Sequence, residues 1–280
     1  MSYLTTPDGV RLRVADRGDG ESTIVLVHGW KGSHRLWDKA VHRLARDFRV
    51  VAFDNRGMGE SDKPRCRYDF AELSGDLGFV LRELDLHDVT LVGWSMGCSI
   101  SLEYLARDGG RVARLVLVNG PIKLTRSADF PWTMTEATLH GYLDALADRW
   151  PRSEREFVAD TLAAHGTEED FDLLYRVALQ TPLDIAIRVV EEQARLDHRA
   201  LLPRLAIPVL AAYGRLDPYY PVELGAYIAE RVPEGSAVVF EESAHAPHIE
   251  ETRRFCEVVA AFARGEAPTP GHAVRAALDI

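Results

Sequence analysis

The sequence has few of the features that mark secreted, membrane and nucleic-acid-binding proteins. It contains 3 cysteines in 280 residues, an odd number without the spacing of a disulfide framework or a metal site. No apolar run approaches the roughly 18 residues that span a bilayer. The opening residues, MSYLTTPDGV, lack the basic start and apolar core of a secretory signal. We therefore expect a reduced, cytoplasmic protein that does not enter membranes.

Positive charge is also scarce. The chain has 33 Lys and Arg against 43 Asp and Glu, which gives a formal net charge of -10. Nucleic acids and anionic membrane surfaces attract positively charged proteins, so neither is an expected partner. The remaining composition, with 46% hydrophobic and 27% charged residues, is ordinary for a folded chain of this length. Composition leaves the oligomeric state open, a homodimer included.

Short β-favouring runs alternate with helical periodicities along most of the chain. This alternation is typical of a mostly parallel sheet with helices on both faces, so we predict an α/β fold. A helix is expected to begin at Asp69, and the helix after the fourth strand is expected to stop near Asp108, before Gly109 and Gly110. The predicted strands are 10–15, 23–28, 49–54, 89–94, 113–119, 207–213 and 236–240.

The alternation is interrupted once, between residues 121 and 206. Four amphipathic helical patterns occur there with no strand between them, near 134–148, 151–164, 168–179 and 183–196. We therefore predict three regions in the chain. They are a core made of 1–120 and 207–265, an inserted helical cap at 121–206, and a loosely attached tail at 266–280.

One predicted strand runs directly into a serine between two glycines. Residues 89–99 read VTLVGWSMGCS, a strand followed by the G-x-S-x-G pattern of a nucleophile elbow and the start of a helix. Such an elbow holds its serine in a strained backbone conformation, so Gly93 and Gly97 must lack bulk. The hydroxyl then lies at a helix N-terminus, which favours developing negative charge. We predict that Ser95 is a nucleophile, and a plain helix cap is the alternative.

A serine nucleophile needs a histidine base. The segment EESAHAPHIEE follows the last predicted strand and offers two. We favour His245, which lies nearer the strand end, and expect His248 to pack against or cap the next helix. Five other histidines fall on polar or helical stretches and are expected at the surface: His34, His42, His87, His140 and His198.

The base in turn needs an acid that holds its tautomer. Two strand ends are candidates. Asn119 ends one of them without a carboxylate, whereas GRLDPYYP after the strand 207–213 offers Asp217. We therefore choose Asp217, and the order Ser95, Asp217, His245 is the one expected for this arrangement.

Acyl transfer also requires N–H donors for an oxyanion. Met96 supplies one by its position after the serine. A predicted strand ends at His28-Gly29-Trp30, and the loop that begins there can bring the Trp30 amide opposite. We predict the Trp30 and Met96 amides as the donors, with no metal and no organic cofactor.

Together these segments resemble the α/β-hydrolase family, in its compact esterase-like form with a helical cap. The matching segments are HGW at 28–30, FDNRGMGESDKP at 53–64, GWSMG at 93–97, GRLD at 214–217 and SAHAPHIEE at 243–251. The resemblance implies an eight-stranded core, a Ser95–His245–Asp217 triad and a structural role for the loop 54–56. Cys98 and Ala244 stand where many members have glycine, and neither change removes a chemical group.

The resemblance implies a serine hydrolase that cleaves a small carboxylic ester or lactone through an acyl-enzyme. Two other activities use the same triad and remain alternatives: a carbon–carbon bond hydrolase acting on a β-diketone or dienone, and a perhydrolase. So does a non-catalytic ligand-binding protein on this fold. Candidates for the substrate pocket are Trp132, Met134, Tyr142 and Tyr219.

The segments HGW and GWSMG also resemble pimeloyl-carrier-protein methyl ester esterases. Recognition of an acidic carrier calls for a basic cap, but the predicted cap has more Asp and Glu than Lys and Arg. We therefore expect a free small-molecule substrate.

Overall fold

The structure, a computed structural model, describes residues 2–162 and 166–266. The predicted tail at 266–280 lies outside the described residues except for its first residue. Eight strands form one sheet in the order β1-β2-β4-β3-β5-β6-β7-β8, antiparallel where β2 meets β1 and β4, and parallel elsewhere. They are β1 (Ser2–Thr5), β2 (Arg11–Arg17), β3 (Thr23–Val27), β4 (Arg49–Phe53), β5 (Val89–Trp94), β6 (Val112–Val118), β7 (Val209–Gly214) and β8 (Gly235–Phe240).

Helices cover both faces of this sheet, as the α/β prediction requires. Every residue of β5 is buried, and its side chains alternate between two apolar clusters: Leu91 belongs to one and Val92 to the other. The first cluster includes side chains of α2 (Phe70–Glu83), α3 (Met96–Arg107) and α8 (Val222–Arg231). The second includes side chains of α1 (Asp38–Leu44) and α10 (Thr252–Ala263). A strand buried on both sides reads as a continuous apolar run, which is why β5 is visible in the sequence.

A run of helices, called the cap below, lies between β6 and β7. Its helices are α4 (Glu136–Arg149), α5 (Arg152–Leu162), α6 (Glu168–Ala178) and α7 (Leu183–Gln193). Thr167 caps α6 in a reciprocal arrangement with Asp170, which explains the sharp start of that helix. Part of the predicted helix 151–164 falls outside the described residues. None of the described helices is long and apolar enough to cross a membrane.

Two sequence expectations about helix ends are confirmed. The Asp69 side chain accepts from the backbone N–H of Glu72 at the start of α2. Helix α3 ends at Arg107, and Gly109 follows with a φ of +68°. The sequence missed β1, a four-residue edge strand that is partly exposed and carries no long apolar pattern. It also missed the bounds of the one-turn helix α9 (Pro247–Glu250).

The packing of α3 on β3 leaves no room for a side chain at Gly97. A Cβ built there would overlap the Val27 carbonyl oxygen. Gly75, in the interior of α2, has no atom within 4 Å of a built Cβ apart from the backbone of its own helix and its chain neighbours, and it serves as a matched control.

We expect Gly97→Ala to lower the free energy of unfolding by about 1–3 kcal/mol, because backbone or helix must shift to admit the methyl group. Gly75→Ala should raise it by about 0.5–1 kcal/mol, because alanine favours a helix interior. Urea denaturation of both variants measures the difference. Equal midpoints for the two would show that the elbow is not tightly packed.

Candidate active site

Ser95 lies at a sharp turn between β5 and α3. Its backbone has φ +54° and ψ -118°, a conformation that costs a non-glycine residue about 1–3 kcal/mol. The turn is held from two sides: the Ser95 N–H donates to the Val118 carbonyl at 2.9 Å, and the Ser95 carbonyl accepts from the Cys98 N–H at 2.9 Å. The serine side chain is thus presented at the start of a helix, as predicted from the sequence.

His245 and Asp217 meet at the same edge of the sheet. Asp217 follows β7 and His245 follows β8, and parallel strands bring their carboxyl ends together. His245 Nδ1 lies 2.9 Å from Asp217 Oδ2, and the two side chains are 4% and 0% exposed. The carboxylate also accepts from the Tyr219 N–H at 2.8 Å. This geometry fixes the imidazole with its Nδ1 proton toward the acid and leaves Nε2 for another partner.

The backbone of His245 is held by two further contacts. Its carbonyl accepts from Trp94 Nε1 at 2.7 Å, and its N–H donates to the Thr161 carbonyl at 3.1 Å. Trp94 immediately precedes the serine, and Thr161 belongs to the cap helix α5. The histidine loop is therefore tied both to the elbow and to the cap.

Asn119 is a site residue that sequence reasoning passed over for lack of a carboxylate. Its Nδ2 donates to Asp217 Oδ2 at 2.5 Å and to the Ala244 carbonyl at 2.9 Å. Its Oδ1 accepts from the Gly214 N–H at 2.9 Å. One amide thus connects the ends of three strands and orients the carboxylate. The signal in the sequence that could have identified Asn119 was its position at the end of a predicted strand, as for Asp217.

Ser95 and His245 line one cavity of about 580 Å³ beneath the cap. All four predicted pocket residues lie on its wall: Trp132, Met134, Tyr142 and Tyr219. None of the wall residues in the described part of the chain is Asp, Glu, Lys or Arg. The cavity is therefore an apolar chamber with a serine and an imidazole as its reactive groups. Among residues 2–162 and 166–266 no three His, Cys, Asp or Glu side chains are grouped as metal ligands would be.

The loop after β3 lies against the serine. A Cβ built on Gly29 would stand 3.0 Å from Ser95 Cβ, so a larger residue would press on the nucleophile. His28 Nδ1 donates to the Gly29 carbonyl at 2.7 Å, and its Nε2 accepts from the Asn55 N–H at 3.0 Å. Within the described chain, neither the backbone N–H of Trp30 nor that of Met96 donates to a protein acceptor. Neither of these two backbone N–H groups is thus committed to another part of the described chain.

Comparisons with known proteins identify the fold family. The model of the alpha/beta hydrolase fold matches residues 22–252. The chain belongs to the α/β-hydrolase fold family. A non-heme chloroperoxidase from Kitasatospora aureofaciens is 30% identical over 88% of this chain and 92% of its own. A pimeloyl-[acyl-carrier protein] methyl ester esterase from Pectobacterium atrosepticum is 30% identical over 88% and 96%. An esterase of known structure from Exiguobacterium antarcticum superimposes with a TM-score of 0.89 at 25% identity, covering 94% of this chain and 99% of that one.

In this α/β hydrolase, His248 and Cys98 pack rather than react. His248 is fully buried, with its ring 4.2 Å from that of Trp37 and 4.6 Å from that of Trp94. Burial lowers the pKa of His248 well below its usual value, so the ring is neutral. The Cys98 thiol donates to the Gly93 carbonyl at 3.0 Å, and burial raises its pKa, which keeps it protonated.

The expectation that five histidines lie at the surface is wrong for two of them. His34 is 2% exposed, and its Nδ1 lies 2.8 Å from Asp54 Oδ1. His198 is 6% exposed and lies 3.2 Å from Glu103 Oε2. Both histidines lie on polar or helical stretches of the sequence, but their partners Asp54 and Glu103 come from distant segments of the chain.

The loop 54–56 is buried and tied to its surroundings by polar contacts. Asp54 Oδ2 accepts from the Glu60 N–H at 2.7 Å. Arg56 donates to both oxygens of Asp76 at 2.6 Å, and this pairing raises the pKa of the guanidinium. These contacts fit the structural role that the sequence resemblance implies.

Glu250 bridges the backbone on both sides of the candidate histidine. Its Oε2 accepts from the Ala244 N–H at 3.0 Å and from the Ala246 N–H at 3.2 Å, while Oε1 is buried without a partner among the described residues. Burial raises the pKa of Glu250 from 4.5 to about 7. The folded state therefore holds this proton more tightly than the unfolded state does.

Because the folded-state pKa is the higher one, the contribution of Glu250 to stability falls as pH rises from 4.5 to about 7. Glu250→Gln keeps an acceptor and does not titrate. Relative to wild type, the variant should gain stability across this window, by on the order of 1 kcal/mol after solvent screening. Thermal melts at several pH values measure it, with the exposed Glu242→Gln as control. Parallel curves for wild type and Glu250→Gln would contradict the prediction.

Proposed function

We propose that this protein is a serine hydrolase that cleaves a small, neutral carboxylic ester or lactone through an acyl-enzyme on Ser95. The observation that carries the proposal is the cavity shared by Ser95 and His245, with Asp217 hydrogen-bonded to the far side of the imidazole. Relatives named as esterases support the reaction class.

In the proposed mechanism, His245 Nε2 removes the proton from the Ser95 hydroxyl as the oxygen attacks the substrate carbonyl. Asp217 holds the imidazole in the required tautomer and stabilises the imidazolium that forms. The Trp30 and Met96 N–H groups donate to the oxyanion of the tetrahedral intermediate. His245 then protonates the leaving alcohol, and a water molecule attacks the acyl-enzyme by the same route. This mechanism requires no metal or organic cofactor.

Ser95→Ala should lower kcat/KM for an aryl ester by at least about 10³-fold, because the nucleophile is removed while the binding cavity stays. A fluorophosphonate probe should label the wild type and not this variant. Ser101→Ala is the matched control, since Ser101 lies in the same helix and its hydroxyl donates to the Gly97 carbonyl instead of facing the cavity. A Ser95→Ala variant with near-normal turnover would disprove the proposed mechanism.

The walls of the cavity favour a neutral substrate. Its lining combines aromatic and aliphatic side chains, and no acidic or basic residue of the described chain faces it apart from His245. A carboxylate on the substrate would be buried without a counter-ion, which costs several kcal/mol. The predominance of Asp and Glu over Lys and Arg in residues 121–206 argues equally against an acidic carrier protein as partner. A free small molecule fits both observations.

We expect aryl butyrates to be hydrolysed at least about 100-fold faster, in kcat/KM, than aryl hemisuccinates of the same length, because the cavity cannot compensate a buried carboxylate. The two esters carry the same leaving group, so the comparison isolates the acyl charge. Equal values would show that the acyl chain does not enter the apolar cavity.

A perhydrolase activity is a second candidate. It is favoured by the 30% identity to a non-heme chloroperoxidase over 88% of this chain. In such a reaction, hydrogen peroxide replaces water as the acceptor of the acyl group. Halide oxidation in acetate with peroxide, dependent on Ser95, distinguishes this activity from hydrolysis alone.

A further inference from the structure

An ion pair is completely buried between the core and the cap. Lys31 Nζ lies 2.6 and 2.8 Å from the two carboxylate oxygens of Glu154, and both side chains are 0% exposed. Lys31 follows Trp30 in the loop after β3, and Glu154 lies in the first turn of the cap helix α5. Burying two charges costs about as much as their attraction returns, so stability alone does not account for such a pair.

The lysine also has an unfavourable backbone conformation. The Gly32 N–H donates to the Gly29 carbonyl at 3.0 Å, which makes Trp30 and Lys31 the central residues of a tight turn. Lys31 has a φ of +54°, where turns favour glycine or asparagine. For lysine this conformation costs about 1–2 kcal/mol. Such strain persists only where the surroundings enforce it, and the contact with Glu154 is the strongest constraint on this side chain.

The backbone N–H of Trp30 belongs to the same turn, so the conformation of the turn sets its direction. The Trp30 side chain is held by contacts on both sides. Lys31 Nζ lies 3.6 Å from the centre of the Trp30 ring and 4.1 Å from that of Phe157, a residue of α5. On its other side, Trp30 Nε1 donates to the Ala186 carbonyl of α7 at 2.9 Å. The residue that supplies the candidate oxyanion donor is therefore held by two cap helices.

We propose that Lys31 and Glu154 form a positioning pair, through which the docking of cap helix α5 holds the 29–32 turn and aims the Trp30 N–H at the oxyanion. The inference rests on the proposed function, since it assigns the pair to the oxyanion step of that mechanism. Neither side chain lines the cavity, so the pair acts through Trp30 and not on the substrate. Loss of the pair should weaken binding of the transition state and leave substrate binding nearly unchanged.

A second ion pair between core and cap provides the control. Lys39 Nζ, in α1, lies 2.6 Å from Asp170 Oδ1, in α6. Lys39 is half exposed, and neither residue lines the cavity. This pair joins the same two parts of the protein without touching the 29–32 turn, so its removal should affect stability and not the oxyanion.

Two changes test the proposal: Glu154→Gln, which removes one charge with little change in shape, and the double variant Lys31→Met/Glu154→Met. The double variant keeps the volume and leaves no unpaired charge, so we expect it to fold. In either variant, kcat for an aryl butyrate should fall about 10- to 100-fold, the effect of a donor displaced by up to 1 Å. KM should stay within about threefold.

The decisive readout is the inhibition constant of an aryl trifluoromethyl ketone, whose adduct with the serine carries an oxyanion. This constant should rise by the same factor as kcat/KM falls, whereas Lys39→Met/Asp170→Asn should leave both unchanged. Circular dichroism and cooperative melting establish that each variant is folded, and the double methionine variant decides the matter if Glu154→Gln does not fold.

A folded double variant with wild-type kcat and wild-type inhibition would overturn the inference. So would a loss of kcat without a matching loss of inhibitor affinity, because that result places the defect outside the oxyanion step. Ser95→Ala separates this failure from failure of the proposed function: if the wild type hydrolyses the ester and Ser95→Ala does not, the hydrolase mechanism stands whatever the pair does.

Discussion

The sharp turn at Ser95 is the constraint on which the rest of the site depends. A central strand buried on both faces passes directly into a helix, and the backbone at the junction takes a φ of +54°. This conformation is possible only because Gly93 and Gly97 allow strand, turn and helix to approach closely. The turn places one hydroxyl at a helix N-terminus and leaves the adjacent N–H without a protein acceptor. The turn thus sets both the position of the Ser95 hydroxyl and its placement at the positive end of a helix dipole.

The groups around the serine are assembled at the carboxyl edge of a parallel sheet. Asp217 and His245 come from loops after neighbouring strands, and Asn119 connects them by donating to the carboxylate and to the carbonyl before the histidine. The Asp217 and Asn119 side chains each have a backbone partner, and Asp217 in turn gives the imidazole a defined tautomer and direction. Glu250 adds a carboxyl group that binds the N–H groups on either side of that histidine.

The cap encloses this edge and also contacts it. Aromatic and aliphatic side chains of the cap form much of the chamber wall, which excludes charge from the space above the serine. Thr161 accepts from the His245 N–H, and Ala186 accepts from the Trp30 indole. A cap with such contacts takes part in arranging the reactive groups as well as in shaping the chamber. The buried pair of Lys31 and Glu154 joins the loop after β3 to the cap helix α5.

The sequence by itself determined the sheet-and-helix alternation and the run of helices between β6 and β7, and it named Ser95, Asp217 and His245 as candidates. These features depend on local pattern: apolar periodicity, glycine at a tight turn, polar residues at strand ends. Tertiary structure alone decided the contacts between distant segments. Asn119 was passed over because it has no carboxylate and its role depends on a neighbouring strand. His34 was expected at the surface because its partner is 20 residues away, and the burial of Lys31 was missed because a lysine in a loop ordinarily faces water. Long-range packing sets burial, and burial gives these polar residues their chemistry.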